Sequence, residues 1–232
     1  MGILDRLSDY LRGKGARGSS TRTGKGGGGV APGEPVVEQE GALRERLDAD
    51  PNDLEAFAQL AELVRRRTES TEHPDPLIAA HAEADVQARS DASHWALAEE
   101  LAGNPRAWYP LIELARLSLE DDHEGALRRL GTACERDRSG RALEEGIKML
   151  RGADLPAEAL SLGVGHWSPA QQSPEAGRQV VQAALDAGRA TAAREHLRNL
   201  AEYGTEQPGT TAVVAELEPF VAAAEARAER TD

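Results

Sequence analysis

A glycine-rich stretch near the N-terminus, TGKGGGG over residues 23–29, places a lysine among glycines in the manner of a phosphate-binding loop. Such a loop has the form G-x-x-x-x-G-K-[ST] and lies between a strand and a helix, so that backbone amides cradle the phosphates. Here five residues separate Gly18 from Gly24, and Gly26 stands where the hydroxyl residue is needed. The stretch therefore predicts a linker and no nucleotide site.

A second polar run, EDDHE over residues 120–124, contains side chains that bind metals. A run between two helices is more typical of a solvated turn in which Asp121 or Asp122 caps the next helix. The histidines show no i,i+4 pair that would place two imidazoles on one helix face, and they lie at His73, His81, His94, His123, His166 and His196. We expect no metal and no cofactor.

No motif for catalysis accompanies these residues. The chain lacks a nucleophilic serine elbow, a cysteine–histidine pairing and a glycine fingerprint after a strand. Its single cysteine, Cys134, allows no intramolecular disulfide and is expected to be a small buried helix residue. The sequence predicts a protein that is not an enzyme; a helical enzyme without a short motif stays a remote alternative.

The composition predicts an all-α fold. Hydrophobic residues make up 40% of the chain but aromatic residues only 3%, and the apolar residues are mostly Ala and Leu. Ala and Leu are the residues that a helix accommodates at least cost, whereas β-branched and aromatic residues favour strands. We expect closely packed helices with few aromatic side chains between them.

Charge is divided unevenly along the chain. Residues 1–29 carry six basic and two acidic side chains, a net charge of +4, so the total of −13 leaves −17 for the remainder. An acidic body repels phosphates, which argues against nucleic-acid binding. No stretch is apolar enough for a secretory signal or a spanning helix, which predicts a cytoplasmic protein. Arginine greatly outnumbers lysine, which suggests a bacterium with a GC-rich genome.

Three regions are expected: residues 1–12, 13–35 and 36–232. The first fits a short amphipathic helix whose apolar residues fall within an arc of about 120°, namely Ile3, Leu4, Leu7, Tyr10 and Leu11. The second is Gly/Ser/Thr-rich and predicts a flexible tether. The tethered helix has three interpretations: peripheral contact with a membrane, docking on a partner, or folding back onto its own chain.

Helical periodicity, broken at short intervals by Pro and Gly, runs through residues 36–232. It predicts helices near 38–49, 53–67, 76–89, 91–102, 105–120, 124–137, 140–151, 156–164, 174–187, 189–203 and 209–229. The longer linkers are 68–75 and 165–173; Trp167 in the second is expected to plug a core edge. Many helices of similar length joined by tight turns favour stacked antiparallel hairpins.

Three segments resemble tetratricopeptide repeats, whose unit is a helix hairpin with small and large residues at fixed positions. The first begins at DPNDLEAFAQLAELV, the second at NPRAWYPLIELARL, and the third is RQVVQAALDAGRATAAREHLRNL. The matching positions are Phe57, Leu60, Ala61, Val64, Trp108, Leu111, Ile112, Leu114, Ala126, Leu130, Ala133, Val180, Val181, Ala184, Gly188, Ala193, Leu197 and Leu200. Gly146 and Gly163 depart from the pattern, because they stand where the family has bulky residues.

The resemblance implies a degenerate, TPR-like α-solenoid whose first helices line a concave groove. Carried over by position, the residues expected to face a partner are Glu55, Ala58, Glu62, Arg65, Arg106, Tyr109, Glu113, Arg116, Glu175, Arg178 and Gln182. Their mixture of Glu and Arg suits an extended peptide held by charge pairs and hydrogen bonds. The expected function is a protein–protein interaction scaffold; the alternative is a membrane-peripheral adaptor targeted by residues 2–12.

Overall fold

The structure, a computed structural model, describes residues 34–70 and 79–230. The predicted N-terminal helix of residues 1–12 and residues 13–33 of the predicted tether lie outside these residues. The prediction of a tether is wrong for its last two residues, Glu34 and Pro35, because they begin the first helix. Ten helices and no strand occur in the described part of the chain, which confirms the all-α prediction. They are α1 (Glu34–Ala49), α2 (Leu54–Ser70), α3 (Ala79–Ala102), α4 (Tyr109–Ser118), α5 (His123–Arg136), α6 (Arg141–Gly152), α7 (Pro156–His166), α8 (Pro174–Asp186), α9 (Ala190–Tyr203) and α10 (Thr210–Ala228).

Helix α3 corrects the prediction of two helices at 76–89 and 91–102. The structure has one helix of 24 residues that runs through Ser90 and Asp91 without a break. The segment contains neither Gly nor Pro, the residues that interrupt a helix most strongly. The Gln87 side-chain amide also donates to Asp91 Oδ1 at 2.8 Å, an i,i+4 contact across the predicted break.

Each helix packs against the next one along the chain. Contacts also join helices two apart: α4 with α6, α6 with α8, α8 with α10, and α5 with α7. Helices α4, α6, α8 and α10 therefore form one contiguous row, while α5 and α7 pack together beside it.

Two apolar clusters lie between the helices. The main core extends from α1 to α8 and includes Phe57, Leu60 and Trp108. The C-terminal core joins α8, α9 and α10 through Val181, Leu197 and Leu217, among others. We expect the large side chains at repeat positions to be mostly buried, and the structure confirms this for Phe57, Leu60, Trp108, Leu111, Leu130, Leu197 and Leu200. The core is thus built from the positions that the helical periodicity marked.

Trp167 packs against both clusters, which confirms its predicted role as a plug. Its ring lies edge-on to the imidazole of His196, with centroids 5.7 Å apart. The two cores therefore meet at this side chain, where the chain passes from α7 to α8.

Glycines set the spacing of α5 to α8. A Cβ atom at Gly146 would lie 3.0 Å from Leu162 Cδ2, and one at Gly163 would lie 3.0 Å from Val180 Cγ2. The repeat pattern has bulky side chains at these two positions. Here the neighbouring Leu and Val side chains fill the space instead, and glycine leaves room for them. Gly188 takes a left-handed conformation, with φ of +68°, where the chain reverses between α8 and α9.

Asn52, in the turn between α1 and α2, fixes the start of α4. Its Oδ1 accepts hydrogen bonds from the backbone amides of Trp108 at 2.7 Å and Tyr109 at 3.0 Å, and its Nδ2 donates to the Arg106 carbonyl at 2.9 Å. Helix α4 has no side-chain cap of its own, so Asn52 satisfies amides that the helix leaves unpaired. This contact places Tyr109 and Glu113 opposite α2.

No helix in the described ranges combines the length and the apolar character that crossing a bilayer would require.

Candidate functional site

Five of the eleven residues predicted to face a partner line one cleft of about 270 Å³ between α2, α3 and α4. We call it the N-terminal cleft. Its walls are formed by the predicted residues Ala58, Glu62, Arg65, Tyr109 and Glu113, together with Phe57, Ala61, Ser90 and His94. Residues of α2 and α4 that lie about 50 positions apart in the sequence thus meet at one surface.

Three rings form the aromatic side of the cleft. The Tyr109 ring meets the Phe57 ring edge-on, with centroids 5.3 Å apart, and His94 lies tilted against Phe57 at 5.5 Å. Phe57 is buried beneath these rings, whereas Tyr109 is half-buried and faces the opening. Such a wall offers both an apolar surface and the edge and face of a π system to a ligand.

Glu113 is a buried carboxylate at the floor of the cleft, with a side chain only 9% exposed. Its Oε2 lies 3.5 Å from His94 Nε2 and its Oε1 lies 3.6 Å from Arg116 Nε. Burial alone raises the pKa of Glu113, but His94, Arg116 and Tyr109 outweigh it and the net pKa is lowered. Glu113 therefore stays ionised. Burial of the Tyr109 phenol, together with the charge of Glu113, raises the pKa of Tyr109.

Glu62 anchors the charged rim of the cleft. Its carboxylate accepts two hydrogen bonds from Arg65, each 2.7 Å long, and one from Arg66 at 2.6 Å. The two guanidinium groups lower the pKa of Glu62 to about 2. A rim whose charges are already joined in this way is ordered before any ligand arrives.

The other six predicted residues lie outside the N-terminal cleft. Glu55 and Arg106 are exposed near the start of α2 and α4, and Arg116 borders the neighbouring cleft described below. Glu175 and Arg178 form an ion pair on α8, and Arg178 also pairs with Glu216 of α10. Gln182 belongs to a separate groove at the other end of the helix row. The eleven residues are therefore distributed along the row and do not form a single site.

That groove, of about 360 Å³, lies between α6, α8 and α10, and we call it the C-terminal groove. Its apolar residues are Leu185, Leu217, Phe220 and Ala224, and its polar residues are Arg151, Gln182, Asp186 and Arg227. Arg151 donates to Asp186 Oδ2 at 2.6 Å and to the side-chain oxygens of Gln179 and Gln182 at 2.8 Å each. These bonds tie α6 to α8 along one edge of the groove.

A third cleft, of about 500 Å³, contains part of the EDDHE run. It is lined by Arg116, Glu120, Asp121 and His123, with Asp91 and four apolar residues. Asp122 is the predicted cap of the following helix, since its Oδ1 accepts from the Gly125 amide at 2.9 Å. Within residues 34–70 and 79–230, no group of three or more His, Cys, Asp and Glu side chains is placed to hold a metal ion.

Ser90 and His94 are the cleft residues that the sequence analysis did not identify. The predicted break at residue 90 placed Ser90 between two helices, whereas the continuous α3 brings it one turn from His94, above Glu113. Serine, histidine and glutamate are the residue types of a hydrolytic triad. Here, however, the buried His94 Nε2 makes no hydrogen bond to Glu113, whose Oε2 lies 3.5 Å away.

Cys134 is buried in the main core, as expected for a small apolar helix residue. Burial, with the nearby charge of Asp137, raises the pKa of its thiol to about 12. The thiolate needed for nucleophilic or redox chemistry is therefore scarce at neutral pH.

Comparison of the chain with models of protein families, with curated proteins and with solved structures finds no match.

Proposed function

We propose that this protein is a non-catalytic interaction scaffold with a TPR-like α-solenoid, which binds an extended segment of a partner protein along α2, α4, α6, α8 and α10. We further propose that it acts in the cytoplasm of a bacterium and binds neither nucleic acid nor nucleotide. The repeat-like residue pattern supports the solenoid, and so do the contacts of α4 with α6, α6 with α8, and α8 with α10. Stacked repeats bury a continuous core in this way and leave one helix of each repeat facing a groove.

Side-chain contacts that cross from one helix of the row to the next support a continuous binding face. Arg151 joins α6 to α8 through Asp186, and Arg178 joins α8 to α10 through Glu216. At the other end, the charge of Glu145 on α6 contributes to the raised pKa of Tyr109 on α4. Polar residues of neighbouring helices therefore follow one another along the row.

The observation that carries the proposal is the N-terminal cleft. Positions selected only by their place in the repeat pattern converge there on an aromatic wall and a buried, ionised Glu113. Peptide-binding sites commonly combine an apolar surface with a few fixed polar groups. A partner side chain would pack against Tyr109 while its backbone or a polar group bonds to the residues of the rim.

The proposal is tested by blocking the cleft. Peptides selected from a random display library on the immobilised full chain are labelled, and their dissociation constants are measured by fluorescence anisotropy. Ala58 is exposed and lines the cleft, so Ala58→Trp places an indole in the opening without disturbing the core. We expect this variant to weaken binding by at least about tenfold, or about 1.4 kcal/mol.

The matched control is Ala201→Trp, because Ala201 is also an exposed helix alanine but lines none of the three clefts. It should leave the dissociation constants within about twofold of wild type, well below the tenfold change that corresponds to 1.4 kcal/mol. Equal loss in both variants, or no loss with Ala58→Trp, would show that the selected peptides bind elsewhere. Failure to select any binding peptide would count against the scaffold itself.

The N-terminal region supports a second candidate function, that of a membrane-peripheral adaptor. The apolar arc of Ile3, Leu4, Leu7, Tyr10 and Leu11 and the basic residues after it match segments that lie on anionic membranes. Sedimentation of the full chain with phosphatidylglycerol vesicles tests this function. Replacement of Leu7 and Leu11 by Asp should abolish co-sedimentation, and equal recovery of both proteins would exclude membrane binding through this segment.

A further inference from the structure

The C-terminal groove leaves an aromatic side chain uncovered. Of the large apolar side chains that are exposed in the described residues, namely Val37, Val164, Tyr203 and Phe220, only Phe220 lines one of the three clefts. It is 61% exposed, and the half-buried side chains of Leu185 and Ala224 continue the same surface above the buried Leu217. An apolar surface inside a concave site marks a place where another apolar surface binds.

The polar edge of this groove is already paired. The Arg151 guanidinium is held by Asp186, Gln179 and Gln182. Because these groups satisfy one another, a ligand gains little by carrying a single charge into the groove. Its floor selects apolar side chains.

The chain contains a segment of that chemistry outside the described residues. In a helical conformation, Ile3, Leu4, Leu7, Tyr10 and Leu11 would form one apolar face of about 120°. The charged side chains of residues 2–12 balance one another, since Asp5 and Asp9 accompany Arg6 and Arg12. The charged side chains that line the groove are Arg151, Asp186 and Arg227. The segment and the groove are thus complementary in apolar surface, and attraction between opposite charges does not drive their contact.

The linker between residues 2–12 and α1 is long enough for this segment to reach the C-terminal groove. Helices pack about 8–10 Å apart, so five such spacings, from α1 where the linker ends through α2, α4, α6 and α8 to α10, amount to roughly 50 Å. A Gly-rich linker as long as residues 13–33 has a typical end-to-end distance of about 25 Å and a fully extended length of roughly 70 Å. Tethering makes the segment's effective concentration at such a site roughly millimolar, which allows even a weak contact to be populated.

We propose that residues 2–12 bind in the C-terminal groove of their own chain, with Leu7 and Leu11 against Phe220 and Leu185. The docking is reversible, and it buries the apolar face of the segment when neither a membrane nor a partner is bound. Since the groove continues the row of α4, α6 and α8, the docked segment occupies one end of the surface assigned above to the partner. The inference does not depend on that assignment, because it concerns the isolated chain.

Hydrogen exchange of the purified full chain, followed by mass spectrometry, tests the proposal without an added ligand. The variant with both Leu7→Asp and Leu11→Asp supplies the exchange rate of the undocked segment. We expect amides of residues 2–12 in the wild type to exchange roughly tenfold more slowly than in that variant, as a docked population of about 90% requires. Exchange in α10 should also be slower in the wild type.

The decisive substitution is Phe220→Asp, with Val164→Asp as its matched control, because both side chains are exposed and only Phe220 lies in the groove. Phe220→Asp should abolish the protection of residues 2–12, and Val164→Asp should leave it unchanged. Protection that survives Phe220→Asp would overturn the proposal, as would its absence from the wild type. The same measurement is repeated as the protein concentration is raised from about 1 to about 100 µM, which promotes association between chains. If the protection of residues 2–12 grows with concentration, the groove binds a second copy of the chain instead.

Discussion

Trp108 joins the start of α4 to the core, and its surroundings define what its removal should cost. The side chain is 5% exposed, its ring meets the Tyr109 ring edge-on, and the Arg141 guanidinium lies 5.8 Å from the ring centre. Trp108→Ala should lower the free energy of unfolding by about 3–5 kcal/mol, because a cavity of this size collapses only partly. Urea titration measures the change; a loss below about 1 kcal/mol would contradict the burial.

Glu113 should make stability depend on pH in the acid range. Its pKa in the folded protein is lower than the ordinary value of 4.5, because His94, Arg116 and Tyr109 outweigh the effect of burial. A lowered pKa contributes stability that is present above the unfolded pKa and is lost as the pH falls through the folded pKa. Urea titrations at pH 6 and below measure the free energy of unfolding of wild type and of Glu113→Gln. The difference in favour of wild type should shrink as the pH falls; a constant difference would contradict this.

At the scale of single residues, the sequence predicts burial well and pairing poorly. Phe57, Leu60 and Leu130 are core residues because they recur at the helical period, which is a local property of the chain. The roles of Asn52 and His94 depend on Trp108 and Glu113, to which no local pattern connects them. Packing of helices that are distant in sequence creates these contacts, so they become visible only in three dimensions.

At the scale of helices, α5 depends on a single capping side chain. Asp122 Oδ1 accepts from the Gly125 amide, and the Gly125 amide together with Arg129 lowers the pKa of Asp122. Asp122→Ala should destabilise the protein by about 1 kcal/mol, the usual effect of losing an N-cap, while Asp122→Asn should retain most of the stability. Thermal unfolding of both variants checks this; equal loss would show that the charge and not the cap is important.

The limits of the helices show where local rules suffice. Helices α8 and α9 lie almost where the sequence predicts them, because Pro174 begins one and Gly188 separates the two. Helix α3 differs because Ser90 and Asp91, which favour caps and turns, lie in a segment without Gly or Pro, and the i,i+4 bond from Gln87 spans them within the helix. The continuous α3 is also the reason that Ser90 and His94 belong to the N-terminal cleft. Because the sequence analysis broke this helix at Ser90, it missed both residues.

At the scale of the whole molecule, α8 is the seam between two cores. Ala176, Val180 and Ala183 belong to the main core, while Val181 and Ala184 on the same helix belong to the C-terminal core. Helix α9 packs on α8 and α10, and α10 packs on α8 and α9. In a chain whose elements contact mainly their neighbours, stability is approximately a sum of local terms. The three helices α8, α9 and α10 therefore have the contacts of a cooperative unit of their own.

Leu217 and Leu143 provide a matched test of that division, since each is a leucine 1% exposed, the first in the C-terminal core and the second in the main core. Each substitution by Ala should cost about 2–5 kcal/mol locally. Native-state hydrogen exchange should show α9 and α10 opening faster in Leu217→Ala, while α4 and α6 keep their wild-type rates. Leu143→Ala should accelerate exchange in α4, α6 and α7. Uniform acceleration along the chain by either substitution would mean that the two cores unfold as one, and that α8 transmits the loss of packing in full.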